Sequence, residues 1–420
     1  MFDLNKIVSE LVRKSLHSDS ILSLTAQIGR HLLYRNDRLS FKIWIGHLFA
    51  ILRDSMLKKK AVVWTSIFIP SELIYAMGCV PFHAEVFALV AAYLNVGPEM
   101  IHAGEQEGYS SDLCSCYRCA AGLVSGSFFP VPDLIISSSH LCDGSTAFFR
   151  NMAKYYGVPH LLVDVPYGDD KNAEDYVSRQ IKDIILQAEE VLSFKFDIDK
   201  LRDVLTTSNE TRKYYERFNR LREHVPAPFS GSRALTYVSG MMFISMGTHE
   251  GYSFSKALCR EVEADIANSR PAIPDEKHRI LWLHQVKPYY KNSIFTDLKD
   301  RGAVIAAEEI TYIYWSPYDL RCPIEALAGR MMENINLGPI ERRLNAVRDM
   351  VSRYKIDGII HFSQWGCRQS SGGAYILRRS FIEEGIPFLV LHGDCADPAN
   401  YAEGQTKTRI QAFLEILEST

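Results

Sequence analysis

The sequence predicts an α/β protein built from two parallel-sheet domains of related plan, bridged by helices and preceded by a helical cap. Three observations carry that expectation. First, a short apolar run ending in polar residues and a cysteine occurs twice, as DLIISSSHLCDGS from Asp133 and as DGIIHFSQWGCRQSSGG from Asp357, with the cysteines at Cys142 and Cys367. Second, each run is short, β-rich and bounded by Gly or Pro, the signature of a strand buried on both faces of a parallel sheet. Third, each cysteine is followed by a helix-length stretch, a Gly-x-Pro break (Gly157 to Pro159, Gly385 to Pro387) and another apolar strand, HLLVDV or FLVLHG. Open α/β sheets bind ligands beyond the carboxyl ends of their strands. Both cysteines fall at that edge and could converge on a shared cleft.

Taken in order, residues 1–60 have helical periodicity and the basic clusters RNDR and MLKKK, and form the cap. AVVWTSIFI is the first strand. Pro70, Ser71 and Glu72 then open a helix, with Pro in the first turn and an acid at the positive end of the dipole. Gly78 ends that helix, and CVPFHAEV is the next strand. Residues 92–112 mix loop and helix. Ser110, Ser111 and Asp112 offer N-cap residues before LCSCYRCAAGLVSG, which puts Cys114 near a helix N-terminus. The first α/β domain spans 61–167. A helical connector, 168–275, is interrupted at PAPFSG. The second α/β domain, 276–420, begins with HRILWLHQV, and FTDLKDRGAVIAAEEI supplies its helix and next strand, as KAVVWTS and ELIYAMGCVPF do in the first.

A chain of 420 residues has ample core for two or three domains. A net charge of −3 gives no electrostatic case for nucleic acid or an anionic membrane as partner. The segment MFDLNKIVSELVRKSL lacks an apolar signal core. The most apolar region, 61–97, is broken by Pro70, Glu72, Pro81, His83 and Glu85, so no membrane span is expected. A cytoplasmic location follows, and there the nine cysteines are metal ligands, reactive thiols or small core residues rather than disulfides. The chain has no P-loop, no dinucleotide fingerprint and no nucleophile elbow.

The segment LCSCYRC invites a single metal motif, but helix geometry opposes it. At about 100° per residue, Cys116 lies about 200° and Cys119 about 140° round from Cys114. Cys114 is the candidate, because a helix N-terminus favours a thiolate. Cys114, Cys142 and Cys367 could hold an iron–sulfur cluster by three thiolates, leaving one iron open. A closed zinc site would want a fourth ligand, and His140 or His361 could serve. Cys79 and Cys259 read as core, and Cys322 has a weak case; Cys395, in HGDCADP, ends a strand and could approach the site. Glu72 is either a site acid or compensation for the helix dipole. CRQSSGG, with Gln369, Ser370 and Ser371, resembles a backbone nest for a phosphate or carboxylate.

Together PSELIYAMGCVPF, the Cys114 segment, HLCDG with its helix, PAPFSG, HFSQWGCRQSSGGA and GDCADPANYAEGQTKTRIQAFLEIL resemble the 2-hydroxyacyl-CoA dehydratase / benzoyl-CoA reductase family, from about residue 60 onward. The resemblance implies two flavodoxin-like (Rossmann-like) domains with a [4Fe–4S] cluster between them, held by position on Cys114, Cys142 and Cys367. It implies a catalytic subunit of a heterodimer or homodimer. A separate ATP-hydrolysing iron–sulfur activator would inject one low-potential electron into an acyl-CoA substrate, making a ketyl radical. Dehydratases then expel the hydroxyl, whereas benzoyl-CoA reductases reduce the ring. Glu72 is the candidate catalytic residue; Ser66, Gln369, Ser370 and Ser371 are the candidate substrate-binding residues. One branch of the family carries a double-cubane [8Fe–9S] cluster on six cysteines and reduces small molecules as a homodimer. Ser66 and the stretch around Ala84 occupy two of its additional cysteine places, so a single cubane is the expectation. A non-catalytic electron-transfer or scaffold subunit is the reading from another class. It would lack a cleft open to the cluster with an anion site for CoA phosphates.

Overall fold

Parallel pairing organises both halves of the chain, and the two four-stranded sheets share one strand order. The computed structural model describes residues 38–168, 171–312 and 316–419. Of the expected cap, residues 1–37 lie outside the described residues; the remainder is helix α1 (Leu39–Met56), which buries Trp44, Ile45, Leu48 and Ile51. The first sheet is β2-β1-β3-β4, from β1 (Val62–Thr65), β2 (Val80–Phe82), β3 (Leu134–Ser138) and β4 (His160–Val163). Its helices are α2 (Ser71–Ala76), α3 (Ala84–Tyr93), α4 (Gly97–Gln106), α5 (Ser115–Ser125) and α6 (Asp143–Tyr156). The connecting segment contains α7 (Lys171–Leu192), α8 (Ile198–Arg222), a helical run (Gly231–Arg233, the π turn Ala234–Val238, Ser239–Ile244) and α9 (His249–Ala267). The second sheet, β6-β5-β7-β8, uses β5 (His278–Leu283), β6 (Ala303–Glu308), β7 (Gly358–Gln364) and β8 (Phe388–Gly393). Its helices are α10 (Ile294–Asp300), α11 (Pro323–Met332), α12 (Ile340–Arg353), α13 (Arg368–Gly372), α14 (Ala374–Glu383) and α15 (Glu403–Ser419).

Two strands are shorter than the apolar runs suggest. AVVWTSIFI is strand only over Val62–Thr65; the chain then turns, with the Ile69 amide donating to the Ser66 carbonyl at 3.0 Å. CVPFHAEV is strand only over Val80–Phe82, after which Ala84, Phe87, Ala88, Ala91 and Ala92 are buried at helical spacing. The 3.6-residue period outweighs local β preference there.

The order 2-1-3-4 is that of flavodoxin-like sheets, whose ligands sit where the strand order reverses. In the first sheet that point lies between the carboxyl ends of β1 and β3, whose loops carry Ser66 and Cys142. In the second it lies between β5 and β7, whose loops carry His284 and Cys367. His284 holds φ at +132°, a strained backbone of the kind that gathers at functional sites. One continuous apolar core contains Trp64 of β1, Trp282 of β5 and Tyr237 of the helical run, so both sheets and the connector share it. The buried pair Arg222–Glu308, with both bonds at 2.6 Å, fastens α8 to β6. Among the described residues no helix is long and apolar enough to cross a membrane.

Helix α5 is aimed by a close crossing with α4. A Cβ on Gly122 would stand 1.8 Å from the Met100 carbonyl oxygen, and one on Gly104 would stand 2.1 Å from that of Arg118. Gly122→Ala must therefore push the helices apart, at a cost of about 1–3 kcal/mol. We expect a lower urea midpoint for Gly122→Ala and an unchanged or slightly higher one for Gly404→Ala, which has nothing within 4 Å of its Cβ position.

Candidate functional site

Each of the three cysteines singled out by the sequence is a helix N-cap. Cys114 caps α5, Cys142 caps α6 and Cys367 caps α13. The Cys142 sulfur accepts the Ser145 amide at 3.3 Å. The Cys367 loop lies backbone to backbone on the Cys114 segment. Gly366, at φ +73°, leaves only 2.7 Å between a would-be Cβ and the Cys114 nitrogen, which a side chain cannot occupy. The Gln364 amide approaches the Cys114 sulfur at 3.8 Å. The thiols sense one another electrostatically: Cys114 acts on both Cys142 and Cys367, and Cys142 acts on Cys367. The structure thus brings together three cysteines from loops of both sheets.

Their acidity corrects one expectation. Cys114 is held well above the usual thiol range, first by its hydrogen bond with Cys395 and then by burial. Burial pushes Cys142 up to about 11 and Cys367 up to about 12. The amides of Cys116, Ser145 and Ser370 pull the other way without prevailing. Helix N-termini favour thiolates, but here desolvation dominates, so the thiols ionise only when a cation compensates them.

Sequence reasoning missed the polar clamp beneath these loops. Asp394, fully buried after β8, accepts from the Ser115 hydroxyl, from the Gln364 amide at 3.3 Å and from the Ala396 and Asp397 amides at 3.1 and 3.2 Å. Arg118 of α5, only 2 % exposed, pairs with Glu105 at 2.5 Å, Asp397 at 3.2 Å and Asp394 at 3.6 Å. Cys395 is buried beside Cys114, with its sulfur 3.5 Å from the Ser115 hydroxyl. No sequence motif announces this clamp, since its members are some 280 residues apart.

The other cysteines separate as helix geometry requires. Cys116 and Cys119 point at backbone carbonyls of α3, Glu85 at 3.5 Å and Ala88 at 3.6 Å, and Cys79 and Cys259 are buried. Neither histidine weighed as a zinc ligand completes a set. His361 contacts the Ser370 carbonyl at 3.2 Å, and His140 stands edge-on to Phe68. Among the described residues no three His, Cys, Asp or Glu side chains are grouped to hold a single metal ion.

Around the first switch point several buried polar atoms have no protein partner, namely the hydroxyls of Ser66 and Ser138 and both ring nitrogens of His140. Buried polar groups are nearly always paired, so such a group is what a ligand would satisfy. Glu72 sits one layer further out, reached from the Cys142 loop through His140 and Phe68. It is buried, accepts from Ser208 at 2.7 Å and Tyr318 at 2.9 Å, and lines a cavity walled by Phe68, Met242 and Phe243. Beyond the carboxyl ends of β7 and β8, on the side of β7 away from β5, Ser371 borders an open cavity of about 500 Å³ together with Cys367, Arg368, His392 and Arg409. Ser370 is buried and Gln369 half-buried on the same short helix, so of the three candidate binding residues in the expected nest only Ser371 borders the cavity.

Two flavodoxin-like parallel sheets whose loops carry cysteines at helix N-termini define a class of α/β protein. The chain belongs to the enzyme family of the 2-hydroxyglutaryl-CoA dehydratase D-component, whose model matches residues 66–417. It is 27% identical over 369 residues to the (R)-phenyllactyl-CoA dehydratase alpha subunit of Clostridium sporogenes, covering 85% of this chain and 89% of that one. It is 24% identical to one of the subunits of the benzoyl-CoA reductase of Thauera aromatica, over 84% of this chain and 88% of that one. The beta subunit of the same Clostridium sporogenes dehydratase also matches, at 21% over 81% of this chain and 91% of that one.

One further acid lies against the site. Glu85 is buried at the start of α3 and accepts from the Tyr117 hydroxyl at 3.3 Å. Burial pushes its carboxyl up to about 7 from an ordinary 4.5. Below the ordinary value both folded and unfolded chains hold the proton; above it the unfolded chain releases it first, so stability falls as pH rises toward 7. Urea unfolding should show this loss in the wild type between about pH 4.5 and about pH 7 and a smaller one in Glu85→Gln. Equal pH slopes would contradict it.

Proposed function

We propose that this chain is the catalytic iron–sulfur subunit of a 2-hydroxyacyl-CoA dehydratase-type enzyme, which removes water from a 2-hydroxyacyl-CoA by radical elimination. In this reading Cys114, Cys142 and Cys367 hold one [4Fe–4S] cluster, and a separate ATP-hydrolysing iron–sulfur activator supplies the electron. The observation that carries it is the convergence of three cysteines at helix N-termini from the loops of both sheets, their thiols held neutral by the Cys395 hydrogen bond and burial at Cys114 and by burial at Cys142 and Cys367. The donor set fits the group: soft thiolates are the ordinary ligands of iron–sulfur clusters, and nearby amide donors are what tune them. Alpha and beta subunits of one enzyme both resemble the chain, which supports a partner of the same family in a heterodimer, and the reading keeps the cytoplasmic location expected from the sequence.

When bound, the cluster would supply a low-potential electron and an open iron able to engage a thioester oxygen. The chain's own residues divide the remaining work. Arg368 and Arg409 give the open cavity beside Cys367 positive charge suited to the phosphates of CoA. The unpaired hydroxyl of Ser66 and the His140 ring, both buried at the first switch point, suit the polar atoms of a thioester or an α-hydroxyl. Glu72, which accepts from Tyr318 and Ser208, is the acid that in this reading holds or delivers a proton for the departing hydroxyl. The apolar walls around it, Phe68, Met242 and Phe243, keep water from a reactive radical. Likeness to a benzoyl-CoA reductase supports a second reading, reduction of an aromatic acyl-CoA at the same site.

Two experiments test this. Cys114→Ser, Cys142→Ser and Cys367→Ser should each lower the iron bound by anaerobically prepared protein, while Cys259→Ser should not; equal iron in all four would defeat the ligand assignment. Glu72→Gln should keep its iron and lose about 10²-fold or more in turnover of a 2-hydroxyacyl-CoA. Unchanged turnover would remove Glu72 from the chemistry.

A further inference from the structure

Between Cys142 and a small cavity stand two residues to which the proposed reaction gives no role. Tyr117, in the first turn of α5, is buried, and its hydroxyl is shared among Glu85, Cys142 and Ser145. It donates to the Glu85 carboxyl at 3.3 Å and also hydrogen-bonds the Cys142 sulfur. The second oxygen of Glu85 has no protein partner, and the residue lines a cavity of about 80 Å³ between α1, α3, the helical run and the loop after β5. That space is large enough to admit water, so a proton can reach Glu85 without passing the cysteines.

A phenol has one proton to give. While Glu85 is ionised it competes for that proton, and the Cys142 sulfur keeps only the Ser145 amide as a full donor. Once Glu85 is protonated it can donate to the Tyr117 oxygen, and the Tyr117 proton turns to the sulfur, adding a second donor to the Ser145 amide already there. Hydrogen bonds to cluster sulfurs stabilise the more negative, reduced state and so raise its potential.

We propose that Glu85 and Tyr117 are positioning residues that couple reduction of the group held on Cys142 to uptake of one proton by Glu85. The proposal rests on the cluster reading above. The step balances simply: one electron enters from the low-potential donor, one proton from water in the cavity converts the Glu85 carboxylate to the acid, and no other bond changes. The groups facing Glu85 agree with this. Tyr117 and Cys116 face it from α5 and the Ile67 amide from the loop after β1, while Tyr289 lines the same cavity from the loop after β5. No Lys, Arg or His lines that cavity among the described residues, so no fixed cation holds Glu85 ionised. Its raised affinity for protons, with an apparent value of about 7, places the exchange near neutrality.

The test is an anaerobic redox titration of the intact holoprotein, followed by electron paramagnetic resonance from about pH 6 to about pH 8. In the wild type the midpoint potential should fall as pH rises. In Glu85→Gln it should be flat across that range, and in Tyr117→Phe it should be flatter and lower than the wild type at the acid end. A flat wild-type profile in iron-loaded protein, or a slope that survives Glu85→Gln, overturns this proposal alone. Protein that binds no iron overturns it together with the functional reading.

Discussion

The buried carboxylate of Asp394 is the interaction on which the arrangement of the site depends. It stands on the loop after the last strand of the second sheet, yet it receives Ser115 from the first unit and Gln364 from the strand before Cys367. A buried charge is tolerable only when paired and fully hydrogen-bonded, and removing one partner of such a pair costs about 3–5 kcal/mol. The backbone amides, Asn400 and Arg118 complete that requirement, and Arg118 carries the constraint on to Glu105 and Asp397. The loops bearing Cys114, Cys367 and Cys395 are therefore fixed to one another by a single polar centre. The flush contact of Gly366 on Cys114 follows from the same docking.

This rigidity bears on the thiols. Held in a desolvated space with one another for neighbours, they resist ionisation, and each loss of a proton makes the next harder. Cation binding reverses all of these costs together. Metal binding and release of the thiol protons should then be one coupled event, as in other thiolate sites. The unpaired hydroxyls of Ser66 and Ser138 and the His140 ring at the first switch point leave polar capacity that a ligand beside those thiols would use.

Much of this was legible in the sequence because it is local. The repeated strand-cysteine pattern locates the third strand of each sheet, and SSD before LCSCYRC marks the helix that Cys114 caps. What escaped was non-local. Asp394, Arg118 and Glu85 look like ordinary charged residues in sequence, and only packing buries them. The acidity of Cys114 was misjudged for the same reason: the helix terminus can be read from residues, whereas its desolvation and its neighbour Cys395 cannot. An acid at the head of AEVFALVAAY was the one available hint of Glu85, and a helix-opening acid is too common to single it out. The strand ends at Thr65 and Phe82 were hidden because apolar residues continue past both.

The most direct test of the central claim, that three cysteines from both halves hold one cluster, is iron and acid-labile sulfide per chain in protein purified without oxygen. The account predicts about four of each. Protein carrying no iron would contradict it, and so would about eight iron with about nine sulfide, the content of a double cubane, which three thiolates would not account for.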